Sequence, residues 1–271
     1  MRIGINGAQV NRMNDQQAEF LTVGTNKSQR KIALRMQAGA IPGVVWLGGF
    51  KSDMKGTKAQ ALSGWAAQAG RAFLRFDYSG HGESEGDFAD GTIGRWLEES
   101  VAVFDHRCRG PQILVGSSMG GWIALLLARE LRLRAKPSAD ASIAGMVLIA
   151  PAVDFTEELM WKNFPAKVKE ALERDGKWLR PSEYEPGGYV ITKPLIEEGR
   201  NHLLLGSMIE TGCPVRILQG VRDPDVPWKH AVELVSRLAQ DDVVLTLVKD
   251  GDHRLSRDED IAQLLRAVES F

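Results

Sequence analysis

The chain has 271 residues, of which 44% are apolar and 25% are charged, and its formal net charge is −1. This length and composition fit one large globular α/β domain, with or without a small insertion. A charge so close to zero gives no electrostatic basis for binding nucleic acid or an anionic membrane, and we expect neither partner. No run of 18 apolar residues occurs, so we expect no transmembrane segment.

The compartment is indicated by the two cysteines and by the first residues. Cys108 and Cys213 are far apart and lack the spacing of a metal site, which predicts reduced core thiols in a cytoplasmic protein. Residues 1–18 are polar, rich in Asn and Gln and without a regular period, which predicts a flexible N-terminal arm. They are also too polar for a secretory signal.

Strand-like and helix-like segments alternate along the rest of the chain. Two strand-like runs flank a short polar turn and predict an opening antiparallel hairpin, 19–24 with 30–36. Further apolar, β-branched runs predict buried strands at 44–47, 72–76, 111–115, 143–150, 215–220 and 243–248. Residue composition and spacing predict helices at 57–69, 93–107, 121–129, 228–239 and 258–271. This alternation predicts an α/β fold with a mostly parallel sheet of about eight strands and helices on both faces.

The segment 152–212 interrupts the alternation. It contains one helical stretch, 166–175, and no clear strand–helix unit. Because a structureless loop of this length is unusual in a compact domain, we interpret it as a cap insertion over a core of 19–151 and 213–271. Its apolar side chains either line a pocket or pack only against the underside of the cap. The pocket candidates are Phe155, Leu159, Met160, Trp161, Phe164, Trp178, Tyr184 and Tyr189. As possible substrate-binding residues we select Phe155, Met160, Trp161 and Trp178.

The pentapeptide Gly116-Ser117-Ser118-Met119-Gly120 fits the pattern G-x-S-x-G. It lies between a predicted strand and a predicted helix, which is the context of a nucleophile elbow. In such an elbow Ser118 is the nucleophile, and the N–H of Met119 at the helix N-terminus donates to the oxyanion. The pentapeptide alone is also compatible with an ordinary glycine-rich turn, so other residues must decide.

A serine hydroxyl needs a base, and the base needs an acid that orients it. His253 follows the last predicted strand and is the candidate base. Asp223 and Asp225 both lie in the loop after the preceding strand, and Asp223 is favoured because it is closer to the strand end. The chain order Ser118, Asp223, His253 differs from the orders in chymotrypsin and subtilisin.

The loop Gly48-Gly49-Phe50 follows the third predicted strand, where a second oxyanion donor is expected. We assign the N–H of Phe50 to this role because the preceding glycines allow a close approach of the backbone. A plain glycine turn is the alternative. Nearby, Asp77 and His81 are expected to be mainly structural, with Asp77 accepting hydrogen bonds from loop amides and His81 near the rim. Asp53 is a candidate for shaping the oxyanion loop.

Together these segments resemble the α/β-hydrolase superfamily over nearly the whole chain after the arm. The resemblance includes the elbow, the Gly-Gly-Phe loop, residues 76–84, Gly220-x-x-Asp223-x-x-Val226-Pro227 and Asp252-His253. It implies the α/β-hydrolase fold, with Ser118, Asp223 and His253 as a catalytic triad.

Residues 49–59, 116–122 and 226–228 are more narrowly similar to a group of mitochondrial α/β-hydrolase-domain proteins. That group acts as thioesterases on S-acylated cysteines and as esterases on acyl glucuronides, so the chain resembles a bacterial-type relative. Residues 1–18 lack the Arg- and Ser-rich character of a transit peptide, which favours a cytoplasmic location.

The expected reaction is hydrolysis of a carboxylic ester or thioester of a small molecule or acyl chain, with no metal and no cofactor. A C–C bond hydrolase, a small-peptide hydrolase or a cofactor-free perhydrolase would use the same three residues. A binding protein that has this fold without catalysis is a further alternative. Dehalogenases and epoxide hydrolases use a carboxylate at the elbow, and the serine argues against them. The oligomeric state, monomer or homodimer, is left open.

Overall fold

The computed structural model describes residues 17–134, 140–181, 187–239 and 242–271. Most of the predicted N-terminal arm and Tyr184 of the predicted cap lie outside these described residues. None of the helices in these four ranges is both long and apolar enough to cross a membrane.

An eight-stranded mixed sheet forms the centre of the protein. Its strands are β1 (Glu19–Val23), β2 (Arg30–Gln37), β3 (Ala40–Leu47), β4 (Arg71–Phe76), β5 (Gly110–Ser117), β6 (Ala141–Ile149), β9 (Val215–Gly220) and β10 (Val243–Val248). Their spatial order is β1-β2-β4-β3-β5-β6-β9-β10. β2 pairs antiparallel with β1 and with β4, and every other pair is parallel. The predicted sheet with an antiparallel start is therefore confirmed.

Five helices pack against this sheet. They are α1 (Thr57–Ala69), α2 (Ile93–Arg107), α3 (Met119–Leu133), α6 (Trp228–Arg237) and α7 (Asp258–Glu269). α1 and α7 contribute to the hydrophobic cluster on one face, and α2, α3 and α6 contribute to the cluster on the other. Thr92 starts α2 by accepting a hydrogen bond from the Arg95 amide, and Gly70 ends α1 in the left-handed conformation with φ 63°.

The central strand β5 is buried on both faces, as its continuous apolar run predicts. Ile113 and Val115 belong to the cluster that includes α1, whereas Leu114 belongs to the cluster that includes α3. Alternate side chains of a strand point to opposite faces, so helices must cover both sides. This places the end of β5, and the turn that follows it, between two packed layers.

The segment between β6 and β9 folds on the carboxyl side of the sheet and contains its own elements. They are a π-helical turn (Thr156–Met160), α4 (Ala166–Asp175), the antiparallel hairpin β7 (Lys177–Arg180) with β8 (Tyr189–Thr192), and α5 (Lys193–Gly199). Of these, only α4 was expected from the sequence. The strands of the hairpin have four residues each, too few for a clear period. The Thr192 cap and the proline in the first turn of α5 are helix-start signals that could have predicted this helix.

Two sets of hydrogen bonds hold this segment in place. The carboxylate of Asp154 accepts hydrogen bonds from the amides of Leu204 and Leu205, at 2.8 to 3.0 Å. The indole of Trp122 on α3 donates to the carbonyl oxygen of His202 at 3.2 Å. The first set ties the beginning of the segment to its end, and the second fastens the end to α3.

Candidate active site

The turn between β5 and α3 is held in a strained backbone conformation at Ser118. Its φ of 55° and ψ of −117° lie outside the regions that L-residues ordinarily occupy. A Cβ at Gly116 would overlap the Gly120 carbonyl, and one at Gly120 would overlap the Leu47 carbonyl at the end of β3. The two glycines of the G-x-S-x-G pattern are thus required by close packing of the turn.

Ser118, His253 and Asp223 form one hydrogen-bonded chain. The Ser118 Oγ is 3.1 Å from Nε2 of His253, and Nδ1 of the same imidazole is 2.8 Å from Oδ2 of Asp223. His253 lies in the loop after β10, and Asp223 lies in the loop after β9, so the carboxyl ends of three parallel strands supply the three groups. The Asp223 side chain is fully buried, whereas that of His253 is one-fifth exposed. His253 is therefore in contact with Ser118 and also lines the cavity above it.

The Asp223 carboxylate has all its acceptor positions occupied. Oδ1 accepts from the amides of Asp225 and Val226 at 2.9 and 2.8 Å. Oδ2 accepts from the Gln219 side-chain amide at 3.2 Å and faces His253. Asp225, two residues later, contributes its amide to this arrangement, while its carboxylate is turned towards Arg180. The geometry thus brings Asp223, and not Asp225, against the imidazole.

Among the described residues, Asp223, Asp225 and His253 form the one group of possible metal ligands, with ligand atoms within 4.8 Å of one another. The hydrogen bonds given above already engage both oxygens of Asp223 and both nitrogens of His253. Because these atoms are already engaged in hydrogen bonds, we assign no cation to the group.

The Gly48-Gly49-Phe50 loop lies directly beside the elbow. A Cβ at Gly49 would be 3.3 Å from the Ser117 carbonyl and 3.4 Å from the Ser118 Cβ, so the loop and the elbow are in close contact here. Phe50 and Met119 both line the cavity at Ser118. Met119 is the first residue of α3, where helix geometry leaves the N–H without an intrahelical acceptor. Both residues predicted to be oxyanion donors are therefore next to the Ser118 hydroxyl.

Asp77 holds the turn that follows this loop. Its Oδ1 accepts from the Met54 amide at 2.6 Å and its Oδ2 from the Glu83 amide at 2.8 Å, as the sequence led us to expect. Burial raises the pKa of this carboxyl. Asp53 is exposed and accepts a hydrogen bond from the Lys55 amide at 2.7 Å, so it shapes the turn from the solvent side.

His81 is buried and contacts the loop directly. Its Nε2 is 3.1 Å from the Lys51 amide, which belongs to the peptide group that follows Phe50. Burial lowers the pKa of His81 to about 4. The sequence predicts only a general structural role for His81 near the rim, and the structure adds this specific hydrogen bond.

A cavity of about 370 Å³ lies above Ser118. The segment between β6 and β9 contributes mainly apolar side chains to it, namely Ala152, Phe155, Leu159, Met160, Pro181 and Tyr189. The volume is within the range of pockets that hold small molecules. Phe155 packs edge-on against Phe50, with ring centroids 5.5 Å apart, so the cavity wall and the predicted oxyanion loop are in contact.

Two of the four selected substrate-binding residues, Phe155 and Met160, line this cavity, whereas Trp161 and Trp178 do not. The Trp161 ring is covered by the cationic ends of Lys169 and Arg200, which lie 5.3 and 5.1 Å from its centroid. Trp178 packs against Phe164 at 5.4 Å. Aromatic composition alone could not separate the residues that face the cavity from those that pack within the segment.

Arg180 is a cavity residue that the sequence reading missed. On β7 the side chains of Trp178 and Arg180 lie on one face, with the exposed Leu179 between them. Arg180 lies one strand repeat beyond Trp178, and only Arg180 lines the cavity, beside its cross-strand partner Tyr189. Its guanidinium is 3.7 Å from Asp225. Recognising the β7–β8 hairpin in the sequence would have been the signal for this residue.

Comparison of the whole chain with protein families leads to the same fold as the geometry of the elbow and the surrounding sheet. Residues 44–201, more than half of the chain, match the family model described as serine aminopeptidase, S33. The chain belongs to the α/β-hydrolase family. The eight-stranded sheet with its antiparallel start is the fold expected of an α/β-hydrolase.

This α/β-hydrolase has relatives that are similar over nearly its full length. It is 36% identical to mouse mitochondrial palmitoyl-protein thioesterase ABHD10 over 241 residues, which cover 89% of this chain and 78% of the relative. The chain is also similar to an Agrobacterium vitis S4 protein of known crystal structure, which is named as a hydrolase. The two sequences are 49% identical, the TM-score is 0.91, and the match covers 94% of this chain and 98% of that chain. Mouse α/β-hydrolase domain-containing protein 10 gives 33% identity, a TM-score of 0.82 and coverage of 94% and 98%.

Proposed function

We propose that this α/β-hydrolase cleaves a carboxylic ester or thioester through an acyl-enzyme intermediate. In this proposal Ser118 is the nucleophile, His253 is the general base and acid, and Asp223 orients the imidazole. The observation that carries the proposal is the hydrogen-bonded chain from Ser118 Oγ through His253 to Asp223, at 3.1 and 2.8 Å. These separations are within hydrogen-bond reach of the proton that must move.

The reaction follows from this chain in two halves. Ser118 Oγ attacks the acyl carbon while its proton passes to Nε2 of His253, and the buried Asp223 carboxylate stabilises the imidazolium. The carbonyl oxygen gains the negative charge and accepts hydrogen bonds from the amides of Phe50 and Met119. When the carbon–oxygen or carbon–sulfur bond breaks, His253 returns the proton to the departing alcohol or thiol. A water molecule, deprotonated by His253, then releases the acid and restores Ser118.

The apolar cavity supports an acyl chain as the group that occupies it. Phe155, Leu159 and Met160 offer hydrocarbon and aromatic surface next to the hydroxyl, where burial of a hydrocarbon chain is favourable. The mouse relative bears the name of a palmitoyl-protein thioesterase, which supports acyl thioesters as one substrate class. The proposed reaction therefore includes thioesters beside oxygen esters.

We propose further that residues 152–212 act as the cap, over a core formed by 19–151 and 213–271. The apolar cavity wall supplied by 152–212 supports this division, as do the hydrogen bonds that tie its two ends together. The two cysteines of the enzyme are buried and not joined in a disulfide. Free thiols support a reducing compartment, and we propose the cytoplasm.

A fluorophosphonate probe tests the nucleophile. We expect labelling of the wild type and none of Ser118→Ala, because the probe bonds covalently to an activated serine. Ser236→Ala is a matched control, since Ser236 is an exposed serine near the end of α6 and should leave labelling unchanged. Equal labelling of the wild type and Ser118→Ala, or labelling of neither, would contradict the proposal. Acyl esters and thioesters of rising chain length then define the substrate.

A further inference from the structure

The loop after β4 contacts the turn 51–54, directly after the predicted oxyanion loop, at two points. The Lys51 amide donates to His81 Nε2 at 3.1 Å, and the Met54 amide donates to Asp77 Oδ1 at 2.6 Å. Residues 77–84 therefore support both ends of the short turn 51–54, which directly follows Phe50. The reaction described above gives no role to this loop, although the loop is one of the distinctive strings of the sequence.

The contact at Lys51 acts on a strained residue. Lys51 has a φ of 61°, in the left-handed region that residues other than glycine rarely adopt. Its N–H and the Phe50 carbonyl belong to one planar peptide group, which is joined to the Phe50 N–H through the two backbone torsions of Phe50. Holding this group therefore limits the range of those torsions and with it the direction of the Phe50 N–H. A hydrogen-bond acceptor at Lys51 therefore stabilises a backbone conformation that would otherwise tend to relax.

His81 is suited to be that acceptor because its tautomer is determined on both sides. Nδ1 is 3.1 Å from the Ser79 carbonyl oxygen, which can only accept, so Nδ1 carries the hydrogen. Nε2 is then left with the lone pair that accepts from Lys51. The ring is 4% exposed and is packed edge-on by Phe88 and Trp96, with centroids 5.2 and 5.3 Å away. This packing fixes the ring plane.

The support continues into the core behind His81. The Ser79 amide donates to Glu99 Oε2 at 2.8 Å, and the Trp96 indole donates to the Ser79 carbonyl at 3.2 Å. Glu99 is itself fully buried and paired with Arg30 of β2. A continuous set of contacts thus runs from β2 through α2 and His81 to the peptide group after Phe50.

We propose that His81 is a positioning residue for the oxyanion hole. In this proposal the neutral imidazole, with its hydrogen on Nδ1, holds the Lys51 amide so that the adjacent Phe50 N–H points at the carbonyl oxygen of the substrate. His81 does not touch the substrate and acts through Phe50. The inference rests on the proposed function, because it assigns the oxyanion role to Phe50. The effect should appear in kcat, since the oxyanion exists only beyond the ground state.

Two substitutions separate the two hydrogen bonds of His81. In His81→Asn the side-chain NH₂ can still donate to Ser79, but the side chain is too short to reach Lys51. In His81→Gln the side-chain oxygen can take the place of Nε2 and accept from Lys51. We expect His81→Asn to lower kcat about 10- to 100-fold, an effect no larger than that of losing a whole oxyanion donor. KM should change by less than about threefold. His81→Gln should recover most of this loss.

The rate of labelling by the fluorophosphonate gives a second readout, because its P=O oxygen also occupies the oxyanion hole. We expect His81→Asn to be labelled about tenfold or more slowly than the wild type, yet to completion. A purely structural role would instead lower the thermal midpoint of both variants and leave kcat of the folded enzyme unchanged.

The two proposals fail in different ways. If the wild type is active and is labelled at Ser118, but His81→Asn retains full kcat and full labelling rate, the positioning role is overturned and the proposed function stands. Equal losses of kcat in His81→Asn and His81→Gln would also overturn it. If Ser118→Ala is labelled like the wild type, the proposed function itself has failed.

Discussion

Replacing Asp223 by asparagine is the sharpest test of how the base is oriented. The backbone amides of Asp225 and Val226 both donate to Oδ1, so the carbonyl oxygen of the new amide must remain there. The NH₂ group is then forced into the place of Oδ2, facing His253 Nδ1 and the Gln219 side-chain amide. A donor in this position requires His253 to present a lone pair at Nδ1. Its hydrogen moves to Nε2, which can no longer accept the Ser118 proton.

The size of the effect follows from this change of tautomer. In Ser-His-Asp enzymes the same replacement leaves the geometry intact and lowers kcat about 10⁴-fold. Each factor of ten corresponds to about 1.4 kcal/mol, so the expected loss of transition-state stabilisation is roughly 5.5 kcal/mol.

Initial rates with an activated ester at neutral pH, with kcat and KM determined separately, measure this loss. Asp225→Asn is the matched control, because it removes the same charge from the same loop while its amide still donates to Asp223. Its kcat should stay within about threefold of the wild type, since partly exposed ion pairs such as Arg180–Asp225 contribute little. If Asp223→Asn retains more than about one-tenth of wild-type kcat, or if Asp225→Asn loses more activity than Asp223→Asn, the reasoning is refuted.

Three further predictions concern the cavity, the elbow and acid stability. Met160→Trp should fill part of the cavity and lower the ratio of kcat/KM for octanoyl esters to that for acetyl esters about tenfold, whereas Trp178→Phe, outside the cavity, should leave this ratio unchanged. Equal ratios in the wild type and both variants would contradict the assigned cavity wall. Gly120→Ala should greatly reduce the yield of folded protein and abolish labelling, because its Cβ would overlap the Leu47 carbonyl; a normal thermal midpoint would contradict the packing argument. Burial holds the pKa of His81 at about 4, below the ordinary 6.5, so between pH 6.5 and pH 4 the unfolded chain binds a proton that the folded enzyme does not. Between pH 7 and pH 5 this linkage should remove about 2 kcal/mol from the free energy of unfolding measured in urea, and His81→Gln should lose that part of the pH dependence. Identical profiles of unfolding free energy against pH for the wild type and His81→Gln would refute the prediction.

Much of the fold was predictable because local patterns report it directly. The bounds of α1, α2 and α4 agree with the helices expected at 57–69, 93–107 and 166–175. The apolar run at 111–115 was recognisable as a strand because both of its faces are buried. The G-x-S-x-G pattern could be recognised because its five residues are consecutive, although the clash that requires Gly120 is with Leu47 of β3. Strands of only four residues, such as β7 and β8, show too few alternations to be recognised in this way.

What the sequence determined by itself was the set of chemical groups and their order: a serine in a strand-to-helix turn, then an acid, then a histidine, each after a strand. What only the tertiary structure decided was which of two neighbouring candidates faces the site. Asp223 and Asp225 have nearly the same sequence context, and the two amides that bind Oδ1 turn Asp223 towards His253. Trp178 and Arg180 are likewise adjacent on one strand face, and a single repeat of the strand puts Arg180 into the cavity. The pattern of the Ser118 turn is visible in five consecutive residues, whereas these choices depend on contacts between segments far apart in the chain.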